Sequence, residues 1–196
     1  MLSLKNSLAV LKKTNALLEG HFVLSSGLHS SKYIQCAKLL SYPNLSKKFC
    51  HSLSEKIKYK IKKIDLILSP AMGGIVIGYE IGRLLNKETI FCERVNGKFK
   101  LRRGFSIKKN ARVLIVEDVI TTGKSSLECV KLIKKFKAKL IGFACLIDRS
   151  SKHTLKIKNK KIISQIKLNV STFKKKYLPD SLKNIPITKP GSRFLK

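Results

Sequence analysis

Long apolar runs are missing from this chain of 196 residues, and its first residues contain no uninterrupted apolar stretch. A membrane-spanning helix needs about 20 consecutive apolar residues, and a secretory signal needs an apolar core with a small-residue cleavage site. Because both patterns are missing, we predict a cytoplasmic protein without a membrane partner. Hydrophobic residues still supply 43% of the composition, which is typical of a globular protein with a sizeable core.

Closely spaced cysteine pairs are missing as well. Zinc sites and redox motifs usually contain a C-x-x-C pair, so neither kind of site is predicted. Several of the cysteines lie in apolar strand or helix patterns, which predicts reduced and buried thiols. The five cysteines are Cys36, Cys50, Cys92, Cys129 and Cys145.

Acidic residues are scarce: 11 Asp and Glu accompany 42 Lys and Arg, so the formal net charge is +31. Such a charge promotes adsorption to polyanions and attracts anionic substrates. The lysines are spread over every segment rather than gathered in one stretch, so we interpret them as solvated surface residues. We predict no specific nucleic-acid partner, with a non-catalytic nucleic-acid-binding regulator as an alternative.

Internal repeats and low-complexity linkers are also missing, and the length suits one α/β domain over residues 1–196. Buried-strand patterns alternate with helical patterns, which predicts a mostly parallel twisted sheet flanked by helices. Residues 19–36 instead have the pattern of a hairpin. With the C-terminal segment, this hairpin is expected to form a small N-terminal hood (about 1–40) on a core of about 41–150. The predicted helices are 4–18, 45–61, 75–85 and 127–136, the predicted strands are 65–69, 89–92, 113–116, 139–147 and 162–168, and the tail from Phe173 is predicted to be irregular.

The strongest local signal lies at residues 112–126. Residues 113–116 are a short aliphatic run, typical of a strand buried on both faces, and Glu117 and Asp118 follow at its carboxyl end. Open α/β sheets bind ligands at that position. The hydroxyl-rich residues 121–126 then lead into a helix, whose N-terminal amides suit a phosphate. The pattern predicts a sugar-phosphate site, although an acid-capped strand and turn without function remains an alternative for this segment alone.

Three further features bear on this prediction. A nucleotide-binding P-loop is excluded, because the position five residues before Gly123 is Asp118 and not glycine. Gly73 and Gly74 follow a predicted strand and would allow close approach of an anion, although a simple steric turn explains them equally well. The polar, basic residues 95–110 form a long predicted loop, which indicates either a mobile surface segment or a lid over a charged substrate.

Two segments resemble a known family. VLIVEDVITTGKS (residues 113–125) is similar to the motif with which type I phosphoribosyltransferases bind 5-phosphoribosyl 1-diphosphate (PRPP). GHFVLSSGLHSS (residues 20–31) resembles the N-terminal hood of the orotate phosphoribosyltransferases in that family. The resemblance covers roughly residues 5–150. It implies transfer of the phosphoribosyl group to orotate in pyrimidine (UMP) synthesis, giving orotidine 5-phosphate and diphosphate. A purine phosphoribosyltransferase is the alternative enzyme, because the PRPP motif is shared.

The resemblance also implies Mg²⁺ as cofactor, held mainly through PRPP and without a protein metal site, and a homodimer in which the basic loop reaches the partner's active site. The family's loop histidine is replaced here by Lys100, and a second basic residue by Val95. Catalytic roles are implied for Lys98, Glu117 and Asp118. Orotate contacts are implied for Tyr33, Ile34, Thr121 and Arg149, and PRPP contacts for Gly73, Gly74, Arg94, Lys98, Lys100, Glu117, Asp118, Val119, Ile120, Thr121, Thr122, Gly123, Lys124 and Ser125.

Overall fold

The computed structural model describes residues 2–24, 27–150, 154–155, 162–188 and 190. Within these ranges the elements in chain order are α1 (Leu4–Lys13), β1 (Leu17–Val23), β2 (His29–Ile34), α2 (Cys36–Leu40), α3 (Pro43–Lys60), β3 (Leu66–Pro70), α4 (Gly73–Leu85), β4 (Glu88–Val95), β5 (Lys98–Lys100), β6 (Arg112–Ile120), α5 (Lys124–Lys135), β7 (Lys139–Asp148), β8 (Ile162–Lys167), β9 (Thr172–Phe173), α6 (Asp180–Lys183) and β10 (Ile187–Thr188). No helix in the described part of the chain is long and apolar enough to cross a membrane.

The main sheet has the strand order β5-β4-β3-β6-β7-β8 and is parallel except for the edge strand β5. Alternate residues of the central strand β6 enter two separate cores, because successive side chains of a strand point to opposite faces. Leu114 and Val116 pack with residues of α3 and α4, whereas Val113 and Ile115 pack with residues of α5. The predicted class, a mostly parallel sheet flanked by helices, is confirmed.

Helix α4 lies unusually close to the sheet because glycines face it. A side chain at Gly78 would collide with Ser69 on β3, and one at Gly82 would collide with Thr89 on β4. The first turn of α4 is equally close to the strands, since a Cβ at Gly74 would lie 3.1 Å from Pro70 of β3 and 3.2 Å from the carbonyl oxygen of Val116 on β6.

The second sheet has the order β10-β1-β2-β9, with β1 and β2 forming the predicted antiparallel hairpin. Two buried histidines join its strands: Nε2 of His21 lies 2.6 Å from Nδ1 of His29, and Nδ1 of His21 lies 3.2 Å from the carbonyl oxygen of Ile185. Since that carbonyl can only accept, Nδ1 of His21 donates to it, and the short contact between the two rings holds a single shared proton. The hood therefore ties the N-terminal hairpin to the C-terminal segment.

Several predicted boundaries were wrong. Helix α1 ends at Lys13 rather than residue 18, because the Thr14 hydroxyl bonds back to the carbonyl of Val10 and Asn15 adopts a left-handed conformation (φ 53°). Strand β8 extends the main sheet beyond the predicted core range of 41–150 because it pairs with β7. The tail beyond Phe173 is not wholly irregular, since β10 pairs with β1. All five cysteines are free and buried, as predicted.

Candidate active site

The acid pair lies within β6, not beyond its end. The strand runs to Ile120, and Glu117 pairs with Cys145 of β7, which corrects the predicted strand of residues 113–116. Strand alternation sends the two carboxylates to opposite faces of the sheet. Glu117 meets the first turn of α5, and Asp118 meets the first turn of α4. One strand end therefore places a carboxylate beside each of two helix N-termini.

Glu117 is almost completely buried, at 7% exposure. The hydroxyl of Ser126 donates a hydrogen bond to its Oε1. The pKa of Glu117 is raised to about 7, chiefly by burial, while the Ser126 hydrogen bond lowers it and the neighbouring Asp118 adds a smaller rise. Ser126 was not among the predicted contacts, because its role depends on the fold of a turn that the sequence pattern leaves open.

Asp118 is half-buried and accepts a hydrogen bond from the amide of Val119 at 2.9 Å. Burial raises the pKa of its carboxyl as well, and the Val119 amide opposes this rise. A Cβ atom at Gly73 would lie 2.6 Å from Asp118 Oδ2. Glycine at position 73 thus leaves room for the Asp118 carboxylate, and the two predicted features form one site.

The hydroxyl-rich loop turns tightly into α5. Gly123 adopts a left-handed conformation (φ 72°) as the residue before the helix, and a side chain there would collide with Leu155. Thr121, Thr122 and Lys124 are exposed around this turn. The 12-residue helix α5 thus begins in an exposed turn, where the amide of Lys124 donates a long hydrogen bond to the hydroxyl of Thr122 at 3.4 Å, and such a helix N-terminus is suited to a phosphate. Val119 and Ile120 contribute to the two cores, so only their backbone faces the cleft.

Arg149 follows β7 directly beside this loop. Its amide donates to the carbonyl of Ile120 at 2.8 Å, which places its backbone next to Thr121, the other residue of the predicted orotate pair. No residue in the described ranges gives its buried Nε a hydrogen-bond partner. Burial lowers the pKa of this guanidinium from its ordinary value. A buried, unpaired guanidinium nitrogen is suited to an anionic ligand.

The hood reaches the acid pair through Cys36, whose thiol donates to the carbonyl of Asp118 at 3.8 Å. Tyr33 is half-buried and its ring packs against Phe22, with ring centres 5.8 Å apart. The side chain of Ile34 is 8% exposed and lies in the main core. The predicted orotate contact of Ile34 could thus be made only by its backbone, whereas Tyr33 keeps an available side chain.

The predicted mobile loop at residues 95–110 is partly a β-hairpin. Val95 pairs with Lys98 across a two-residue turn, Arg94 pairs with Phe99, and Glu93 pairs with Lys100. Directly paired residues share a face, so Lys98 and Lys100 lie on the Glu93 side of the hairpin.

Arg94 lies on the other side of the hairpin. Its guanidinium donates to Glu128 of α5 at 2.7 and 3.2 Å and stacks over Phe99 at 4.1 Å. The structure does not bring Arg94 to the acid pair, and its predicted PRPP contact would require it to leave this ion pair.

The family described as "Phosphoribosyl transferase domain" matches residues 37–178. An orotate phosphoribosyltransferase of Caldicellulosiruptor saccharolyticus is 46% identical over 94% of this chain and 95% of its own length. One from Caldicellulosiruptor bescii is 46% identical over 93% and 94%. The crystal structure of orotate phosphoribosyltransferase from Aeropyrum pernix superposes with a TM-score of 0.72 at 26% identity, covering 82% of this chain and 92% of that one. The chain therefore belongs to the phosphoribosyltransferase family, among the orotate phosphoribosyltransferases.

Proposed function

We propose that this protein transfers the 5-phosphoribosyl group of PRPP to N1 of orotate, releasing diphosphate and forming orotidine 5-phosphate. The observation that carries the proposal is the placement of Glu117 and Asp118 between two helix N-termini. PRPP has hydroxyls in its centre and phosphate groups at both ends, so carboxylates between two anion-binding turns match its order of groups.

Different residues of the chain bind different parts of PRPP and orotate. Glu117 and Asp118 accept hydrogen bonds from the ribose hydroxyls, and the amides of residues 121–125 bind the 5-phosphate. The turn at Gly73 and Gly74 binds the diphosphate with its backbone. Arg149 pairs with the orotate carboxylate beside Thr121, and Tyr33 borders the base from the hood.

During transfer, the bond from ribose C1 to the diphosphate oxygen breaks and its electron pair leaves with the diphosphate. Deprotonated N1 of orotate then donates a pair to C1 from the opposite side, so no covalent enzyme intermediate is needed. The residues that neutralise the leaving diphosphate supply the main catalytic effect, because negative charge develops there.

Mg²⁺ is part of the proposal. The carboxylates of Glu117 and Asp118 are oxygen donors of the kind Mg²⁺ prefers. No group of three or more His, Cys, Asp or Glu side chains in the described ranges is arranged for a metal ion. The ion would therefore be held mainly by PRPP oxygens, with these two carboxylates nearby, and would supply charge neutralisation of the diphosphate.

A homodimer is also proposed, supported by an apolar stripe that begins at the diphosphate turn. Met72, the residue before α4, and Val76 and Tyr79 on α4 follow helical spacing and are 82%, 55% and 68% exposed. A second subunit packed against this stripe would lie next to the active site. Lys98, at the tip of the hairpin of one subunit, could then reach the active site of the other. Val76→Lys is expected to convert the dimer to a monomer in sedimentation, and an unchanged dimer would contradict this surface. All five cysteines are buried and outside disulfides, which supports a reducing compartment, and we propose the cytoplasm.

The activity is tested by diphosphate release from PRPP with Mg²⁺, comparing orotate, uracil, hypoxanthine and adenine. Turnover with orotate alone is expected. Turnover with a purine would agree with the proposed PRPP site but contradict orotate as the base. Lack of turnover with every base would contradict the proposed reaction.

A further inference from the structure

Two residues after β7 lie against the turn that we assign to the 5-phosphate (residues 121–125, the phosphate turn). These residues, Thr154 and Leu155, have no role in the function proposed so far. The hydroxyl of Thr154 donates to the carbonyl of Thr121 at 3.2 Å. The side chain of Leu155 lies beside Gly123, where an added Cβ atom would be 2.6 Å from its Cγ and Cδ2 atoms. The two residues thus contact both the beginning and the middle of the phosphate turn.

Leu155 is held there in an unfavourable backbone conformation. Its φ of 48° lies in the left-handed region, which is rare for a bulky residue. Its side chain is only 6% exposed and belongs to the core on the α5 side of the sheet. Strained residues persist where the surrounding structure compensates for them, and they are concentrated at functional sites. Burial of the side chain against the phosphate turn is the compensating contact here.

Gly123 makes this contact possible from the other side. It is also left-handed (φ 72°), and an added Cβ atom would lie 3.2 Å from Cγ2 of Thr154 as well as against Leu155. Because Gly123 has no side chain, Leu155 packs directly on the backbone of the turn. Loss of side-chain atoms from Leu155 would therefore leave a void beneath the phosphate turn itself.

Arg149, which we assign to the orotate carboxylate, also contacts this part of the chain. Its amide donates to the carbonyl of Ile120 at 2.8 Å. The Thr154 hydroxyl holds the next carbonyl, that of Thr121, so residues after β7 fix two successive carbonyls at the entrance to the phosphate turn. The chain after β7 thus borders both the base end and the phosphate end of the proposed site.

We propose that Thr154 and Leu155 are positioning residues that hold the phosphate turn in its binding conformation. This inference rests on the proposed function and adds to it: the affinity for the 5-phosphate depends on these two residues as well as on the amides that contact the phosphate. A turn that is already ordered binds an anion more tightly, because it loses little conformational entropy on binding.

The test is titration calorimetry with ribose 5-phosphate and, separately, with magnesium diphosphate, which we assign to the Gly73-Gly74 turn. Leu155→Ala removes the atoms that contact Gly123 and keeps the Cβ atom. Leu66→Ala is the matched control, since Leu66 is a buried leucine of the same core but begins β3, at the end of the strand opposite the cleft. A purely structural role would lower both affinities alike.

Two further variants isolate the hydroxyl of Thr154. Thr154→Val replaces the hydroxyl with a methyl group of similar size and removes the hydrogen bond to the carbonyl of Thr121. Thr154→Ser retains the hydroxyl and is the conservative control.

Leu155→Ala is expected to weaken ribose 5-phosphate binding about tenfold. Thr154→Val should weaken it about fivefold, the usual effect of losing one hydrogen bond. Thr154→Ser and Leu66→Ala should stay within about twofold of wild type, as should the magnesium diphosphate affinity of every variant.

Unchanged ribose 5-phosphate affinity in both Leu155→Ala and Thr154→Val would overturn the inference, as would an equal loss for magnesium diphosphate. A loss in Thr154→Ser as large as that in Thr154→Val would overturn it for the Thr154 hydroxyl. Lack of orotate turnover by wild type would contradict the proposed reaction, while the ribose 5-phosphate titration would still decide the role of the two residues. Lack of ribose 5-phosphate binding by wild type would contradict both.

Discussion

Gly73 and Asp118 are in direct backbone-to-carboxylate contact, although 45 positions separate them, and a methyl group on Gly73 would lie 2.6 Å from Asp118 Oδ2. We predict that Gly73→Ala displaces the carboxylate and weakens PRPP binding by about tenfold or more, since overpacking of this kind typically costs 1–3 kcal/mol. Alanine is otherwise the better helix residue, so any loss isolates the collision. Titration of PRPP checks this, and wild-type affinity would show that the turn can move away from Asp118.

The raised pKa of Glu117 predicts a pH-dependent stability. Burial keeps this carboxyl protonated in the folded protein up to about pH 7, whereas the unfolded chain loses the proton near its ordinary value of 4.5. The unfolded state therefore binds fewer protons between these values, and the contribution of Glu117 to stability declines as pH rises from 4.5 through 7. The expected loss is roughly 3 kcal/mol.

Urea unfolding of wild type and Glu117→Gln at pH 5 and pH 8 measures this term. Glutamine has no proton to lose, so the stability of wild type relative to the variant should fall at pH 8. The subtraction removes the contribution of Asp118, whose carboxyl is present in both proteins. Parallel pH dependences in the two proteins would show that Glu117 ionises normally.

Ser126 should control the ionisation of Glu117. Its hydroxyl stabilises the charged form of Glu117, so Ser126→Ala is predicted to raise the pKa of Glu117 further. The acidic limb of the pH profile of kcat/KM should then shift toward higher pH. Ser125→Ala is the control: it removes a hydroxyl one residue away and should weaken phosphate binding without moving that limb. Equal shifts in both variants would contradict the specific role of Ser126.

The paired histidines of the hood predict loosening in acid. Burial, His21 and Lys175 all lower the pKa of His29, so its stabilising contribution is present above its ordinary pKa of 6.5 and is lost as pH falls through the lower folded value. The protection factors of amides in β1 and β10, which correct for the slower intrinsic exchange at low pH, should therefore fall more in acid than those in β6. His29→Gln should remove the difference, and its persistence would assign the loosening to other groups.

Lys98→Ala is predicted to lower kcat by about a hundredfold while changing the KM for orotate little, because a cation at the leaving group acts in the transition state. Lys137→Ala removes the same charge far from the cleft and should leave both constants unchanged. An equal effect of the two variants would indicate that only the overall charge matters.

The sequence predicted the helices and strands correctly where burial imposes a regular spacing of apolar residues. The aliphatic run at residues 113–116 is apolar enough to predict a central parallel strand, and the amphipathic stripes of α3 and α5 follow helical spacing. The contact between Gly73 and Asp118 could not be predicted, since the sequence pattern does not specify how closely α4 approaches the sheet. Strands β9 and β10 have two residues each and exist only through pairing with β2 and β1.

Two errors were avoidable. Asn15 was a possible stop signal for α1, because asparagine often takes the left-handed position after a helix. Asn96-Gly97 is the strongest short-range signal for a two-residue hairpin, but the surrounding lysines gave the segment the appearance of a loop.

The two-residue turn at Asn96-Gly97 makes the length of the hairpin more critical than its composition. Insertion of one residue there would slip β5 by one position against β4. The ammonium groups of Lys98 and Lys100 would then turn toward α5, and Phe99 would leave the core for solvent. Exchange of a lysine for arginine in this hairpin would therefore be tolerated more readily than insertion of a residue into its turn.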